Sequence, residues 1–261
     1  MSGRASHAQP FFAPRLCISA GLLLFAIAFG AGDAHAIVKG RESSLGFHVV
    51  RVSGRGGAQC SGVAIGRSLV VTAAHCGGRS VRTSSGSIGV RAITRSAVLD
   101  DGRSASVSGD AAILKLAAPL PPSISPVSVG EGSGDMYTIA GYGAVEERYR
   151  GSMGTLHEAS LMPAGRYNLI DYTRDSSISA SACFGDSGGP VLRGLELVGV
   201  ISRAAHPSPR IACGHITRWA PIMVSGAAKV ADASSIGAET EMKIEPAKPV
   251  RHKRKYQHRY H

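Results

Sequence analysis

The chain has 261 residues and a formal net charge of +11 at neutral pH. Residues 1–36 contribute +1 and residues 243–261 contribute +6, so residues 37–242 carry only +4. The positive charge is therefore not spread evenly along the chain. Most of the net positive charge lies in the C-terminal tail.

The N-terminal segment has the three parts of a secretory signal peptide. Arg15 precedes an apolar run at residues 16–29, and the segment ends in Ala-His-Ala at residues 34–36. A transmembrane anchor is the alternative, but this run has 14 residues and a spanning helix needs roughly 18 or more. We therefore expect residues 1–36 to be removed as a signal peptide, leaving a secreted or periplasmic protein with no transmembrane segment.

The central part of the chain reads as short strands separated by Gly, Ser and Pro, without a convincing stretch of helical periodicity. Many short strands with turn signals between them predict an all-β protein, either a barrel or a sandwich. The predicted strands include Phe47–Val52, Gly62–Ile65, Leu69–Thr72, Ala111–Leu116, Tyr137–Ala140 and Leu195–Ile201.

One serine lies within the glycine-rich string Cys-Phe-Gly-Asp-Ser-Gly-Gly-Pro at residues 183–190. Because glycine lacks a Cβ, Ser187 can stand out from a tight turn with a substrate carbonyl beside it. The backbone N–H groups of Gly185 and Ser187 would then converge on the oxygen that becomes negative during attack. Asp186 has no basic neighbour in sequence, so it requires a distant cation.

A serine hydroxyl is a weak nucleophile at neutral pH, so this interpretation requires a base and an orienting acid elsewhere. His75 follows an apolar strand-like run, and Asp110 opens the run Ala-Ala-Ile-Leu-Lys-Leu. Asp100 and Asp101 are alternatives to Asp110, but neither leads directly into such a run. These motifs, in the order His, Asp, Ser, resemble those of the chymotrypsin-like (trypsin-like) serine proteases.

The resemblance covers roughly residues 37–224 and implies two six-stranded antiparallel β-barrels with the active site in the cleft between them. We expect a protease domain at residues 37–225, with barrel 1 at about 37–125 and barrel 2 at about 126–225. The segment at residues 119–134 is the expected crossover. We also expect a bacterial secreted member of the family.

The resemblance further implies acyl transfer to Ser187, with His75 as the general base and Asp110 holding its imidazole. Gly185 and Ser187 would supply the oxyanion hole. The substrates would be proteins or peptides, and no cofactor is needed.

Removal of the signal peptide would expose Ile37 at the start of Ile-Val-Lys-Gly, which resembles the Ile-Val-Gly-Gly start of active family members. In the family, the freed amino group pairs with the acid before the catalytic serine, which here is Asp186. We therefore expect an activating pair between Ile37 and Asp186, formed by the signal-peptidase cut itself.

Four cysteines remain after residue 36, which permits three disulfide pairings in an oxidising compartment. A zinc site is the competing interpretation, but the chain has no close Cys-x-x-Cys or His pair, so no metal is expected. The family resemblance favours the disulfides Cys60–Cys76 and Cys183–Cys213.

By the same resemblance, the substrate-binding residues are Ser181, Ser202, Ala204 and Gly214. Ser181 would lie at the base of the specificity pocket, where trypsin-like members carry Asp. Ser202 would begin the edge strand that pairs with the substrate backbone. Ala204, in place of glycine, adds a methyl group to one wall, whereas Gly214 leaves the other open. This set predicts a preference for small or medium uncharged side chains at the cleaved position.

Residues 226–261 are predicted to form a disordered basic tail because their composition cannot bury a core. Such a tail would bind an anionic lipid or polysaccharide surface by non-specific attraction, without specific nucleic-acid recognition. A solvated extension without a partner is the alternative. A second function class also stays open: a catalytically silent member of the fold that binds other molecules through this tail.

Overall fold

The computed structural model describes residues 37–147, 153–173 and 178–226. The predicted signal peptide and the tail from residue 227 onward lie outside the described residues. Within the described ranges no helix has the length and apolarity needed to cross a membrane.

The described residues form fifteen β-strands and three short 3-10 helices, without an α-helix. The strands are β1 (Arg41–Glu42), β2 (Val49–Ser53), β3 (Gln59–Gly66), β4 (Leu69–Ala73), β5 (Ser80–Thr83), β6 (Gly86–Thr94), β7 (Ser96–Val98), β8 (Ser104–Val107), β9 (Ala111–Leu116), β10 (Tyr137–Gly141), β11 (His157–Pro163), β12 (Asn168–Ile170), β13 (Pro190–Arg193), β14 (Glu196–Ala205) and β15 (Ile216–Ser225). The 3-10 helices are η1 (Leu45–Phe47), η2 (Arg55–Gly57) and η3 (Ala74–Cys76).

The first barrel closes in the order β2-β3-β4-β9-β6-β5, with every pairing antiparallel. Strand side chains alternate between the two faces of a sheet. Val50 and Val52 of β2 accordingly point into the barrel and pack in its core with Val81 of β5 and Leu114 of β9. Arg51, between the two valines, lies on the opposite face.

The second barrel is the closed ring β10-β11-β12-β15-β14-β13, also antiparallel throughout. Its core contains Ile139, Leu161 and Ile201, all fully buried. The side chain of Trp219 packs against this core, and the ring of Tyr167 meets its indole edge-on at 5.0 Å. The two closed rings confirm the predicted fold class.

Strands from the N-terminal half also extend the second barrel. β1 pairs with β11, β8 pairs with β15, and β7 pairs with β8. One apolar cluster spans both barrels: Val71 and Ile113 of the first pack in it with Leu197 and Val200 of the second. The barrels therefore meet across a continuous core.

The predicted strands fall on observed ones with small shifts at their ends. Ala111–Leu116 coincides with β9, whereas Phe47 belongs to η1 and lies outside β2. The segment between the end of β9 and the start of β10, which includes the expected crossover at residues 119–134, contains no strand.

Candidate active site

His75 and Asp110 lie at the same end of two paired strands. β4 ends at Ala73, which is the register partner of Ala111 at the start of β9. His75 follows in η3, and Asp110 directly precedes β9. Asp110 therefore faces His75: its Oδ2 lies 2.7 Å from Nδ1 of His75, and its Oδ1 accepts the backbone N–H of His75 at 3.0 Å.

Asp110 is held in its charged form by these contacts. Partial burial raises the pKa of Asp110, but hydrogen bonds from Ser202 and His75 outweigh this effect and bring its pKa below the ordinary value of 3.8. The Ser202 hydroxyl donates to Oδ2 of Asp110 at 2.7 Å. An ionised carboxylate beside Nδ1 fixes the orientation of the imidazole.

Ser187 lies across the cleft from His75, and both residues line one cavity of about 720 Å³. The Ser187 hydroxyl donates to the backbone carbonyl of Ser202 at 3.3 Å. Among the hydrogen bonds of the described residues, none joins Ser187 to His75.

The turn that carries Ser187 leaves two backbone donors unused. Within the described part of the chain, the N–H groups of Gly185 and Ser187 donate to no protein acceptor. Gly185 has φ +95°, and a Cβ there would lie 2.9 Å from Cα of Gly143. Only glycine fits this conformation and this contact.

Asp186 is fully buried beneath this turn. Its carboxylate accepts the backbone N–H groups of Gly143 and Cys183, each at 2.8 Å, and that of Ile37. Burial raises the pKa of Asp186 to about 7 in spite of these three donors. The group that Ile37 offers to this buried carboxyl in the 261-residue chain is therefore a backbone amide.

Ile37 is itself fully buried and has φ +57°, which is an outlier for a β-branched residue. Val38 continues inward, and its carbonyl accepts the N–H of Ser181 at 3.2 Å. The start of the domain is thus packed into the body of the second barrel.

The structure contains the disulfides Cys60–Cys76 and Cys183–Cys213. The first joins β3 to η3, next to His75. Cys60, His75 and Cys76 approach one another closely enough to suggest a metal cluster. Their two sulfurs are bonded to each other, so they offer no thiolate ligand.

The expected substrate-binding residues divide into two pairs. Ser202 and Ala204 line the cavity. Ser181 and Gly214 do not line it: Ser181 is fully buried, accepts the N–H of Gly214 at 2.6 Å and donates to the carbonyl of Ala182. The hydroxyl of Ser181 is therefore already occupied by backbone groups.

Three features of the cleft have no clear signal in the sequence. The register between β14 and β15 shifts between Ile201 and Arg203, and this bulge redirects Ser202. The carboxylate of Glu147 accepts the N–H groups of Ala212 and Cys213, at 2.7 and 3.1 Å, and so holds one cavity wall. The lining also includes residues 56–60 and Met153, and Met153 packs against the cluster that contains Cys183 and Cys213.

Two antiparallel barrels with a histidine, an aspartate and a serine around the intervening cleft define the chymotrypsin fold of serine proteases. The family model described as Trypsin matches residues 37–223. The chain therefore belongs to the trypsin family and is a serine endopeptidase of that family.

The named relatives have low sequence identity to this chain, but their alignments cover most of it. Alpha-fibrinogenase albofibrase of Trimeresurus albolabris is 24% identical over 219 residues, covering 73% of this chain and 85% of the relative. Cathepsin G of Mus musculus is 28% identical over 216 residues, covering 69% and 81%. These relatives come from a snake and a mammal and do not support the expected bacterial origin.

Solved structures share the fold at still lower identity. Neuropsin, a serine protease expressed in the limbic system of mouse brain, superimposes with a TM-score of 0.51 at 23% identity, covering 70% of this chain and 94% of that structure. A scabies mite inactivated protease paralogue gives a TM-score of 0.54 at 17% identity, covering 70% and 92%. At these identities the likeness concerns the fold alone.

Proposed function

We propose that the protein is a secreted endopeptidase that cleaves peptide bonds through an acyl-enzyme on Ser187. The observation that carries this proposal is the 2.7 Å contact between Nδ1 of His75 and Oδ2 of Asp110 in the cavity that also contains Ser187. The family membership supports protein or peptide substrates.

In the proposed mechanism, the Ser187 hydroxyl turns from the Ser202 carbonyl towards Nε2 of His75. Oγ bonds to the scissile carbonyl carbon while His75 takes its proton, and the same proton passes to the leaving amine when the C–N bond breaks. Water then attacks the ester in the same way and releases the carboxylic acid. Asp110 keeps Nδ1 protonated throughout both steps.

The unused N–H groups of Gly185 and Ser187 serve as the oxyanion hole in this mechanism. Each such donor contributes about 3 kcal/mol to transition-state stabilisation in comparable enzymes. Because they make no other hydrogen bond among the described residues, they need no rearrangement to bind a developing negative charge.

We propose that cleavage before Ile37 completes this turn. The new ammonium group would replace the amide that now faces Asp186 and would supply the missing positive charge. A buried carboxylate without a countercharge is costly, so pairing stabilises the conformation of residues 185–187. The buried position of Ile37 supports this step.

We propose a preference for small or medium uncharged side chains at the cleaved position. Ala204 narrows the cavity by a methyl group, and Ser181 offers neither charge nor a free hydroxyl to a basic side chain. Ala204→Gly should raise kcat/KM for a Phe peptide relative to the matched Ala peptide. An unchanged ratio would remove Ala204 as the determinant of specificity.

For the tail, we propose weak attachment to anionic surfaces through the +6 charge of residues 243–261. Sedimentation with anionic vesicles should be lost when the chain ends at residue 242. Equal sedimentation of both chains would leave the tail without this role.

The decisive experiment is the intact mass of the exported protein after treatment with an organophosphonate that labels activated serines. We expect one adduct on a chain that begins at Ile37, and no adduct on the Ser187→Ala variant. An adduct on a chain that begins at a residue other than Ile37 would show that the proposed activation step is wrong. A folded chain that begins at Ile37 and takes no label would favour the silent binding protein.

A further inference from the structure

The charge of the protease domain is strongly divided along the sequence. Residues 43–99 contain no Asp or Glu, and residues 37–99 have a net charge of +8, against −4 for residues 100–242. The modest total of +4 for residues 37–242 therefore conceals a basic first barrel. Seven arginines lie in the acid-free segment: Arg51, Arg55, Arg67, Arg79, Arg82, Arg91 and Arg95.

This acid-free segment supplies β2, β3, β4, β5 and β6, five of the six strands of the first barrel. The arginines on its outer face consequently find no carboxylate on these strands. None of the ion pairs of the described residues involves Arg51, Arg55 or Arg82.

Arg51 and Arg82 are direct register partners across β2 and β5. Their neighbours Val52 and Val81 point into the barrel, so both guanidinium groups lie on the outer face. Like charges directly opposite each other on a sheet are destabilising. An anion bound between them would relieve this repulsion.

A concave surface of about 320 Å³ lies at this pair. The two arginines, Thr83, Ser84 and Tyr142 are among the residues that line it, and the guanidinium of Arg51 lies over the ring of Tyr142 at 5.0 Å from its centroid. No acidic residue lines it. Arginine forks bind carboxylates through paired N–H donors, so the lining suits a carboxylate ligand.

Two contacts connect this surface, here called the Arg51–Arg82 site, to the catalytic cleft. The guanidinium of Arg51 donates to the carbonyl of Gly154, whose neighbour Met153 lines the cleft. The backbone N–H of Tyr142 donates to Oγ of Ser61, which in turn donates to the carbonyl of Gly185.

The position of the site relates it to one end of the substrate. Residues 202–204 form the cavity edge expected to pair with the acyl part of a substrate. Residues 56–60 are part of the cavity lining that comes from the first barrel, and we take them as its second end, where the leaving-group part would extend. β2, which carries Arg51, leads directly into this second end through η2.

We propose that the Arg51–Arg82 site binds acidic side chains of a peptide substrate on the leaving-group side of the scissile bond. This inference rests on the proposed endopeptidase function and deepens it by naming a substrate class. Attraction by the acid-free barrel face would also accelerate the encounter with such substrates.

The test compares two peptides that are identical except for Glu or Gln at the second to fourth positions after the cleaved bond. The unmodified enzyme should cleave the Glu peptide with a kcat/KM about 10-fold higher at low salt. High salt should reduce this ratio. Arg82→Gln should bring the ratio close to one, whereas Arg82→Lys should retain part of it.

Arg67→Gln is the matched control, since it removes the same charge from the turn between β3 and β4, away from both cavities. It should keep the ratio of the unmodified enzyme. A ratio near one for the unmodified enzyme, or the same loss in Arg67→Gln as in Arg82→Gln, would overturn the proposal.

Binding to the inactive Ser187→Ala variant separates this inference from the proposed function. A fluorescent Glu peptide should bind this variant more tightly than its Gln counterpart, and Arg82→Gln should abolish the difference. If neither peptide is cleaved but the difference in binding persists, the peptidase function fails and the site stands. If a sulfated oligosaccharide of equal charge displaces the peptide at far lower concentration, the site belongs to a polysaccharide and the peptide proposal is wrong.

Discussion

Ser202 and His75 approach the same oxygen of Asp110: the Ser202 hydroxyl donates to Oδ2 at 2.7 Å, and Nδ1 of His75 lies 2.7 Å from it. Ser202 also offers its backbone carbonyl to the Ser187 hydroxyl. One residue of β14 thus contacts both the acid and the nucleophile of the proposed triad.

Ser202→Ala should lower kcat about 5-fold, because the loss of a hydrogen bond to a charged group weakens the hold on Asp110 and on the imidazole beside it. KM should change less than twofold, since the backbone carbonyl and the cavity wall are retained. Steady-state kinetics with a single peptide measures both constants. An unchanged kcat would show that His75 alone positions Asp110.

The stability of the uncleaved chain should fall as the pH rises, because burial raises the pKa of Asp186 to about 7 from 3.8. The folded chain then binds this proton more tightly than the unfolded chain. The stabilisation is complete below pH 3.8 and is lost as the pH rises to about 7.

Between pH 4.5 and 7.5 we expect a loss of about 3 kcal/mol in the free energy of unfolding. The measurement is urea unfolding of a Ser187→Ala chain that begins at Ala36, compared with one that begins at Ile37. The chain that begins at Ile37 should show a smaller loss, because its ammonium group favours the charged form of Asp186. Identical pH dependence of the two chains would argue against the activating pair.

Removal of the Cys60–Cys76 disulfide should destabilise the protein and slow catalysis. A cross-link with a sequence separation of 16 contributes roughly 3 kcal/mol by constraining the unfolded chain. The double variant Cys60→Ser, Cys76→Ser should therefore unfold at a lower urea concentration and show a reduced kcat, because Cys76 ends the short helix that carries His75. A large loss of stability with an unchanged kcat would limit the disulfide to a structural role.

Glu147→Ala should raise KM about 5-fold, because two backbone N–H groups of the cavity wall lose their charged acceptor. The effect on kcat should be smaller, since Glu147 contacts neither His75 nor Ser187. Glu146→Ala is the matched control, as its side chain is exposed beside the same loop. Equal effects of the two variants on KM would indicate that the lost surface charge, and not the lost hydrogen bonds to the cavity wall, causes the change.

The sequence predicts those features that depend on short local patterns. β9 was predicted with correct bounds because its apolar run is uninterrupted, and the motifs around His75, Asp110 and Ser187 indicated both the family and the fold. The role of Ser202 could not be predicted, because it depends on a bulge between strands that are distant in sequence. Glu147 was missed for a related reason: its partners lie 65 and 66 residues further along the chain.

The hairpin of β7 and β8 links the N-terminal and C-terminal halves of the chain, and this link should affect how the molecule unfolds. Residues 104–107, from the N-terminal half, are hydrogen-bonded to β15 near the end of the C-terminal half. In the chain this hairpin lies between β6 and β9 of the first barrel, so it links the two barrels, and we expect unfolding to be a single cooperative event. Trp219, the one tryptophan of the chain, reports on the second barrel, whereas circular dichroism reports on both. The two signals should follow one coincident transition in urea.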